Sequence, residues 1–237
     1  MTSLRLKDRI ALITGASRGI GRAVVLAFAR EGAHVLLLSR SRKALEEVDD
    51  RIRAQGGKAS LIPLDLADGK AIDTLGPTLY ERFGRLDVLV GNAAILGALS
   101  PLPHIKSEHW ERVIATNVTA NWRLIRSLDP LLRRSEAGRV LFVTSGAAHK
   151  HSAYWGAYSL TKAALESLAL TYAAECETTK VKVNLLNPGP MRTAMRKKAM
   201  PGEDPEKLPL PEDMAYRVVE MLAPSYDRNE SVINFQK

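Results

Sequence analysis

The sequence predicts an α/β protein with a single domain, in which helices cover both faces of a doubly wound parallel β-sheet. Two observations lead to this prediction. Short apolar segments with β-branched residues alternate with longer segments of helical periodicity along the whole chain. Neither a change in composition nor an internal repeat divides the 237 residues. We therefore expect one domain over residues 1–237.

The composition is that of an ordinary globular protein, with 46% hydrophobic and 25% charged residues. No apolar segment approaches the ~20 residues that cross a bilayer, and the N-terminus lacks the apolar core of a signal peptide. The basic residues behind the net charge of +8 are spread along the chain, which favours anionic small molecules over nucleic acid. The single cysteine, Cys176, cannot form an internal disulfide. We expect a cytoplasmic protein with no nucleic-acid or membrane partner.

Residues 9–14 form the first predicted strand, and a glycine-rich turn leads from it into an amphipathic helix. The turn reads Gly15-Ala-Ser-Arg-Gly-Ile-Gly21. Glycines let backbone N–H groups approach a pyrophosphate, and the N-terminus of the helix adds partial positive charge. An ordinary strand–helix turn is the alternative. The residues expected to bind a dinucleotide here are Gly15, Ser17, Arg18, Gly19, Ile20 and Gly21.

The second predicted strand, residues 34–39, ends in a segment that bears on the form of the dinucleotide. Folds of this kind that prefer NAD place a carboxylate here, where it binds the ribose 2′-hydroxyl. The sequence instead continues Ser39-Arg40-Ser41-Arg42, so nothing repels a 2′-phosphate and Arg40 can pair with one. Arg18, in the glycine turn, can approach the same 2′-phosphate from the other side. We therefore expect NADP(H) rather than NAD(H); the alternative is that these arginines are solvated loop residues.

The next two predicted strands also end in polar or small residues. They cover residues 59–66 and 86–94, with helices over residues 43–55 and 71–83. Asp65, followed by Leu66, falls at the end of the third strand, where its carboxylate could accept from an adenine amino group or cap the next helix. Asn92 and Ala93 leave the fourth strand, and the small residues there allow backbone to approach a ligand.

A long helix is predicted from Ser107, with a kink or its end at Pro130. Asn117 falls within its apolar stripe, where a buried amide must be hydrogen-bonded. The fifth strand, residues 139–145, follows. It ends at Ser145, whose hydroxyl could point into the crevice at the carboxyl ends of the strands.

Tyr158 and Lys162 are four residues apart, so on a helix they share one face. A free tyrosine has a pKa of ~10, and a neighbouring ammonium is expected to lower it toward neutral pH. The pattern suggests a tyrosine acid/base that is tuned by a lysine, with Ser145 holding the reacting oxygen. The helix predicted over residues 159–176 is nearly apolar all round, which suggests that a partner subunit covers part of it.

The C-terminal part has a sixth strand, a loop, a mobile flap, a helix and a last strand. Their predicted ranges are 182–187, 188–193, 194–211, 212–222 and 231–236. Four cations of the loop and flap hint at an anionic substrate: Arg192, Arg196, Lys197 and Lys198. His149 and His151 are interpreted as surface-loop residues rather than substrate ligands. No residues have metal-ligand spacing, so we expect no catalytic metal.

Together these segments resemble the short-chain dehydrogenase/reductase family over nearly the whole chain. The matching residues are Thr14, Gly15, Gly19, Gly21, Asp65, Asn92, Ala93, Asn117, Ser145, Tyr158, Lys162, Pro188 and Gly189. Each motif is weak by itself, whereas the full set in this order is specific. The resemblance implies a Rossmann fold, and it extends to the bacterial 3-oxoacyl carrier protein reductases within the family.

The resemblance also implies a role for each residue. Tyr158 is the general acid or base toward the substrate oxygen, Ser145 hydrogen-bonds that oxygen, and Lys162 holds the nicotinamide ribose and lowers the Tyr158 pKa. Asn117 anchors a water in a proton relay to Lys162. The loop residues expected to contact the nicotinamide end of the cofactor are Pro188, Gly189, Met191 and Thr193.

The expected function is that of an oxidoreductase that transfers a hydride between NADP(H) and a small-molecule carbonyl or secondary alcohol. A catalytically silent NAD(P)-binding sensor on the same fold is the alternative. By analogy with the family, we expect a homodimer or homotetramer. One departure from the family pattern is visible, because its Asn-Asn-Ala-Gly motif reads Gly91-Asn92-Ala93-Ala94 in this chain.

Overall fold

The computed structural model describes residues 4–236, which contain one seven-stranded sheet. All neighbouring strands are parallel, in the order β3-β2-β1-β4-β5-β6-β7. The strands are β1 (Ile10–Thr14), β2 (His34–Ser39), β3 (Lys58–Pro63), β4 (Val88–Gly91), β5 (Arg139–Val143), β6 (Lys182–Asn187) and β7 (Val232–Asn234). The predicted α/β fold with a doubly wound parallel sheet is confirmed.

The helices alternate with the strands. They are α1 (Gly19–Arg30), α2 (Arg42–Arg53), α3 (Gly69–Asp73), α4 (Leu75–Phe83), α5 (Ser107–Ile114), α6 (Ala120–Leu132), α7 (Ala147–Lys150), α8 (Gly156–Glu175), α9 (Ala194–Ala199) and α10 (Pro211–Leu222). A π-helical turn, Ala115–Thr119, joins α5 to α6, and 3₁₀ turns cover Leu102–His104 and Pro205–Lys207.

Each face of the sheet carries its own hydrophobic core, because successive strand residues point to opposite faces. Leu12 and Leu89 are register partners, and both pack into the core formed with α4, α6 and α8. The next pair, Ile13 and Val90, packs into the opposite core with α1, α2 and α10. All residues of β1, β4 and β5 are buried. These near-continuous apolar strands are typical of a parallel sheet covered by helices on both faces.

Several strands end earlier than predicted, because a turn replaces the ladder. β3 ends at Pro63, and Asp65 lies beyond it in a turn that its own carbonyl and carboxylate stabilise by accepting from the Asp68 and Ala67 N–H groups. β4 is also shorter than expected. β5 ends at Val143, so that Ser145 lies two residues past the strand.

The helices differ from the predictions in four places. Pro130 does not end the long helix at once, because α6 continues to Leu132 with Pro130 in its last turn. The single helix predicted over residues 71–83 is divided into α3 and α4. The third difference is that α8 begins at Gly156, which places Tyr158 in its first turn. The segment predicted as a flap contains α9 and a 3₁₀ turn.

Two large apolar side chains are exposed on neighbouring helices of one face. Leu160 on α8 is 45% exposed and Trp122 on α6 is 42% exposed. Most of the apolar residues of α8 are nevertheless covered by the chain's own core. The homodimer or homotetramer stays a prediction.

Candidate active site

A large cleft opens at the carboxyl ends of the strands, with a volume of about 2270 Å³. It brings together most of the residues that the sequence singles out. Those that line it are Gly15, Ser17, Arg18, Gly19, Ile20, Arg40, Asp65, Leu66, Asn92, Ala93, Ser145, Tyr158, Lys162, Pro188, Gly189, Met191 and Thr193. Of the residues expected to take part in catalysis or to bind the cofactor, only Gly21 and Asn117 do not line it. The position matches the rule that open α/β sheets bind ligands outside the carboxyl ends of their strands.

The glycine turn between β1 and α1 has the backbone that a phosphate site needs. Gly15 and Gly19 have φ angles of +68° and +53°, which side chains disfavour. Gly21 is required for close packing instead, because a Cβ there would lie 2.2 Å from the Gly15 carbonyl oxygen. It allows α1 to pack against the turn. The N-terminus of α1 carries no acidic residue in its first turn, so its partial positive charge is available to a pyrophosphate.

Thr14 fixes the exit of β4 beside this turn, a role that the sequence analysis did not assign to it. Its hydroxyl accepts from the backbone N–H groups of Asn92 and Ala93, both at 3.0 Å, and donates to the Val90 carbonyl at 3.2 Å. The Asn92 amide donates to the Thr14 carbonyl at 2.9 Å. The Asn92 side chain therefore holds the wall of the cleft in place.

At the end of β2 the cleft offers groups that suit a phosphorylated ribose. Ser39 is 9% exposed, and its hydroxyl has no hydrogen-bond partner within residues 4–236. Arg40 and Arg18 are exposed, line the cleft and form no ion pair with any described residue. An orphaned hydroxyl and two free guanidinium groups fit a 2′-phosphate.

Asp65 does not cap the next helix, because the Asp68 carboxylate does so by accepting from the Ala71 N–H at 3.1 Å. Asp65 instead forms an ion pair with Arg112 at 3.1 Å. Burial acts to raise the pKa of Asp65, but the N–H of Ala67 and the Arg112 guanidinium hold it below its usual value. The carboxylate lines the cleft, and its contact with an adenine stays a prediction.

The first two turns of α8 carry the tyrosine and the lysine. The Lys162 Nζ lies 5.7 Å from the centroid of the Tyr158 ring and donates to the Val143 carbonyl at 2.7 Å. Ser145, two residues past the end of β5, lines the cleft with Tyr158, and its Oγ accepts from the Ala147 N–H at 3.2 Å. The three side chains thus meet on one wall of the cleft, as their spacing predicts.

The expected lowering of the Tyr158 pKa by Lys162 is wrong. Burial raises the pKa of Tyr158 to about 12, and the nearby Ser145 hydroxyl opposes this only in part. Burial also lowers the pKa of Lys162 to about 8, against the attraction of the Glu166 carboxylate. Both groups are largely withdrawn from water, and desolvation disfavours the charged form of each.

Asn117 is buried behind the cleft wall, and its side chain is fully used by the protein. Its Oδ1 accepts from the Ile95 N–H at 2.9 Å, while its Nδ2 donates to the Ile95 carbonyl at 2.9 Å and to the Thr161 hydroxyl at 3.0 Å. Its own carbonyl lies in the π-helical turn and accepts from Asn121 at 2.8 Å. Asn117 therefore ties the segment after β4 to α8. The water relay stays a prediction, and it would have to use this main-chain carbonyl.

The family model described as short chain dehydrogenase matches residues 9–204. The chain belongs to the short-chain dehydrogenase family. The oxidoreductase YciK of Escherichia coli (strain K12) is 37% identical over 212 residues, which cover 88% of this chain and 84% of YciK. A 3-oxoacyl-[acyl-carrier-protein] reductase of Synechocystis sp. (strain ATCC 27184 / PCC 6803 / Kazusa) is 35% identical over 191 residues, 80% of this chain and 77% of that reductase. The structure of a short chain dehydrogenase from Escherichia coli CFT073 complexed with NADPH has a TM-score of 0.95 at 34% identity and covers 100% of both chains.

Membership of the short-chain dehydrogenase family makes the chain an NAD(P)-dependent oxidoreductase, and it confirms the resemblance drawn from the motifs. No helix within residues 4–236 is long and apolar enough to cross a membrane. The same residues contain no group of three or more histidine, cysteine or acidic side chains that could hold a metal ion.

The loop after β6 is held by the C-terminal segment, another contact that the sequence analysis missed. The Gln236 amide donates to the Pro188 carbonyl at 2.8 Å and to the Pro190 carbonyl at 2.7 Å. The Thr193 hydroxyl caps α9 by accepting from the Arg196 N–H at 3.2 Å. The two bonds from Gln236 join residues more than 40 positions apart, so no local pattern predicts them.

The flap is less basic toward the cleft than its sequence indicates. Arg192 pairs with Glu206 at 3.0 Å, and Arg196 pairs with Glu203 at 2.5 Å. Two of the four cations are thus neutralised within the flap itself. Lys198 lines the cleft, while Lys197 does not. The hint of an anionic substrate is correspondingly reduced.

His149 and His151 are both exposed, as expected, but His149 lies on the short helix α7 rather than in a loop. His149 Nε2 lies 2.9 Å from the Glu166 carboxylate, and His151 has a left-handed backbone with φ of +44°. Glu166 was not among the expected site residues. Its position, one turn after Lys162 on α8, was the available signal.

Proposed function

We propose that this short-chain dehydrogenase transfers a hydride between NADP(H) and a carbonyl or secondary alcohol of a small molecule, with Tyr158 as general acid or base. The observation that carries the proposal is the meeting of Tyr158, Lys162 and Ser145 on one wall of the cleft, beside the glycine turn. A protein that only senses a cofactor has no need of this arrangement.

The chemistry follows from the charge that develops on the substrate oxygen. When bound, the nicotinamide supplies or accepts the hydride. Ser145 donates a hydrogen bond to the oxygen, and Tyr158 gives it a proton during reduction. The raised pKa keeps Tyr158 protonated at neutral pH, as an acid must be. Lys162, in its charged form, stabilises the phenolate that remains.

The preference for NADP(H) is proposed from the end of β2. Within residues 4–236 the Ser39 hydroxyl has no hydrogen-bond partner and the guanidinium groups of Arg40 and Arg18 form no ion pair, which matches a 2′-phosphate. The similar Escherichia coli CFT073 protein in complex with NADPH supports the same choice. The relative that reduces 3-oxoacyl groups makes 3-oxoacyl thioesters reasonable first substrates to test.

The test is loss of NADPH absorbance with a panel of ketones, aldehydes and 3-oxoacyl thioesters, run in parallel with NADH. Tyr158→Phe should lower kcat by at least about 10²-fold, because it removes both the acid and a donor to the oxygen. Its affinity for NADPH should stay near that of the wild type. Tyr80→Phe, at an exposed tyrosine outside the cleft, is the matched control. Full turnover by Tyr158→Phe contradicts the proposed role.

A further inference from the structure

A buried carboxylate on the catalytic helix lies outside every role assigned above. Glu166 is 7% exposed and sits one helical turn after Lys162 on α8. The Thr144 hydroxyl donates to its Oε1 at 2.5 Å, and its Oε2 lies 2.9 Å from His149 Nε2. Carboxylates are almost never buried without partners, and here two come from the segment that leads away from β5.

These two partners bracket the catalytic serine. Thr144 is the residue before Ser145, and its N–H still pairs with the Leu186 carbonyl of β6 at 2.9 Å. His149 lies four residues after Ser145, on the short helix α7. Glu166 therefore links both sides of Ser145 to the helix that carries Tyr158.

The segment that follows α7 has a backbone that needs such a link. His151 and Tyr154 have φ angles of +44° and +71°, a region that side chains other than glycine rarely adopt. Strained residues persist only where surrounding contacts over-determine them. Trp155, at the end of this segment, packs edge-on against the Tyr158 ring at 6.0 Å between centroids. A shift of the segment would therefore reach the catalytic tyrosine.

We infer that Glu166 is a positioning residue: through Thr144 and His149 it holds the segment 144–155 against α8, and so keeps Ser145 in register with Tyr158. The inference rests on the proposed function for its catalytic consequence. The link itself is a property of the fold and can be measured without any substrate. Because Glu166 also attracts the Lys162 ammonium, its charge has a second effect that can be separated from the link.

Hydrogen–deuterium exchange of the full-length protein tests the link. Glu166→Leu removes both contacts and fills the space with a side chain of similar size, and His149→Ala removes one contact at an exposed position. Both variants should speed amide exchange in residues 145–155, with the larger change in Glu166→Leu. Glu175→Gln, at the exposed end of the same helix, should exchange like the wild type. Unchanged exchange in Glu166→Leu and His149→Ala overturns the inference, and if Glu166→Leu does not fold, His149→Ala decides.

Kinetics with NADPH and the best substrate of the panel test the catalytic consequence. Glu166→Leu should lower kcat by up to about 100-fold, since a small misplacement of a catalytic group can cost that much. NADPH affinity should not change. Glu166→Gln keeps an acceptor for Thr144 and should restore part of kcat. If Glu166→Leu has the same kcat as the wild type, the positioning role is overturned. If the wild-type protein reduces none of the substrates in the panel, that result counts against the proposed function, and the exchange experiment alone tests the link.

The pH profile separates charge from position. The ionisable groups around the Lys162 amine are Tyr158 and Glu166 on α8 and, through Glu166, His149 on α7. Removing the carboxylate in Glu166→Gln should lower the Lys162 pKa further below about 8 and move the alkaline limb of kcat to lower pH. A limb that stays in place in Glu166→Gln means that the carboxylate does not act on Lys162, which contradicts that part of the inference.

Discussion

Replacing Lys162 by methionine should stabilise the protein while it abolishes efficient turnover. Lys162 is fully buried, and burial lowers its pKa from 10.5 to about 8. This lowering corresponds to about 3 kcal/mol of cost for holding the ammonium in the folded protein at neutral pH. Methionine removes that cost and has a similar volume. It also removes the 2.7 Å hydrogen bond to the Val143 carbonyl, which offsets about 1–2 kcal/mol of the gain.

The net gain near neutral pH is therefore about 1–2 kcal/mol, or a rise in Tm of about 2–8 °C for a chain of this size. The pH dependence identifies the cause. Between about 8 and 10.5 the unfolded wild type binds more protons at Lys162 than the folded form does, so the stability of the wild type rises with pH in this window. The advantage of Lys162→Met should shrink by about 2–3 kcal/mol over the same window and reverse in sign.

The assay is urea unfolding of both proteins at about pH 7 and about pH 10, compared at equal pH so that other titrating groups cancel. Lys43→Met, at an exposed lysine, is the matched control and should show no pH-dependent difference. Turnover measured on the same samples should be lost only in Lys162→Met. A variant that is less stable than the wild type at neutral pH, or a difference that does not change with pH, would refute the claim that the Lys162 ammonium is held at a cost.

Three further substitutions test other parts of the site. Ser39→Asp places a carboxylate beside the expected 2′-phosphate and should reverse the preference for NADPH over NADH in direct titrations; an unchanged preference contradicts the assignment of the pocket. Thr14→Val removes the acceptor of the Asn92 N–H and of the N–H after it, and should lower the free energy of unfolding, measured by urea denaturation, by about 2–4 kcal/mol. A loss below about 1 kcal/mol would mean that water replaces the hydroxyl. Gly91→Ala puts a Cβ 2.3 Å from Cδ1 of Phe142 and should lower the free energy of unfolding by about 1–3 kcal/mol. Phe142→Leu in the same chain should restore much of this loss. Full stability of Gly91→Ala alone would show that the ring moves freely.

The sequence predicted most of the fold and most of the cleft lining, because both depend on short-range patterns. Strand residues such as those of β1 are apolar without interruption, and the glycine turn after them follows directly in the chain. Tyr158 and Lys162 share a helix face by spacing alone. The same reasoning placed the end of β3 too late, because the strand ends at Pro63 and Asp65 lies in a turn that its carboxylate and carbonyl stabilise.

The reason for glycine at position 91 could not be predicted from the sequence. The sequence marks glycine in place of the family's asparagine but cannot say what the change accommodates. In the structure, a Cβ at Gly91 would meet the Phe142 ring and lie 2.8 Å from the Asn121 amide oxygen. Both neighbours come from other elements of the fold, and only their packing makes glycine the residue that fits.

By itself, the sequence determined the alternation of strands and helices, the glycine turn and the set of side chains from which the site is built. Only the tertiary structure decided that the Tyr158 pKa rises rather than falls, and that Glu166 meets Thr144 and His149. The physical reason is that local spacing decides which residues are neighbours on one helix or strand. Burial and contacts between elements arise only when the elements pack, and burial of Tyr158 disfavours the charged form of its phenol and so raises its pKa.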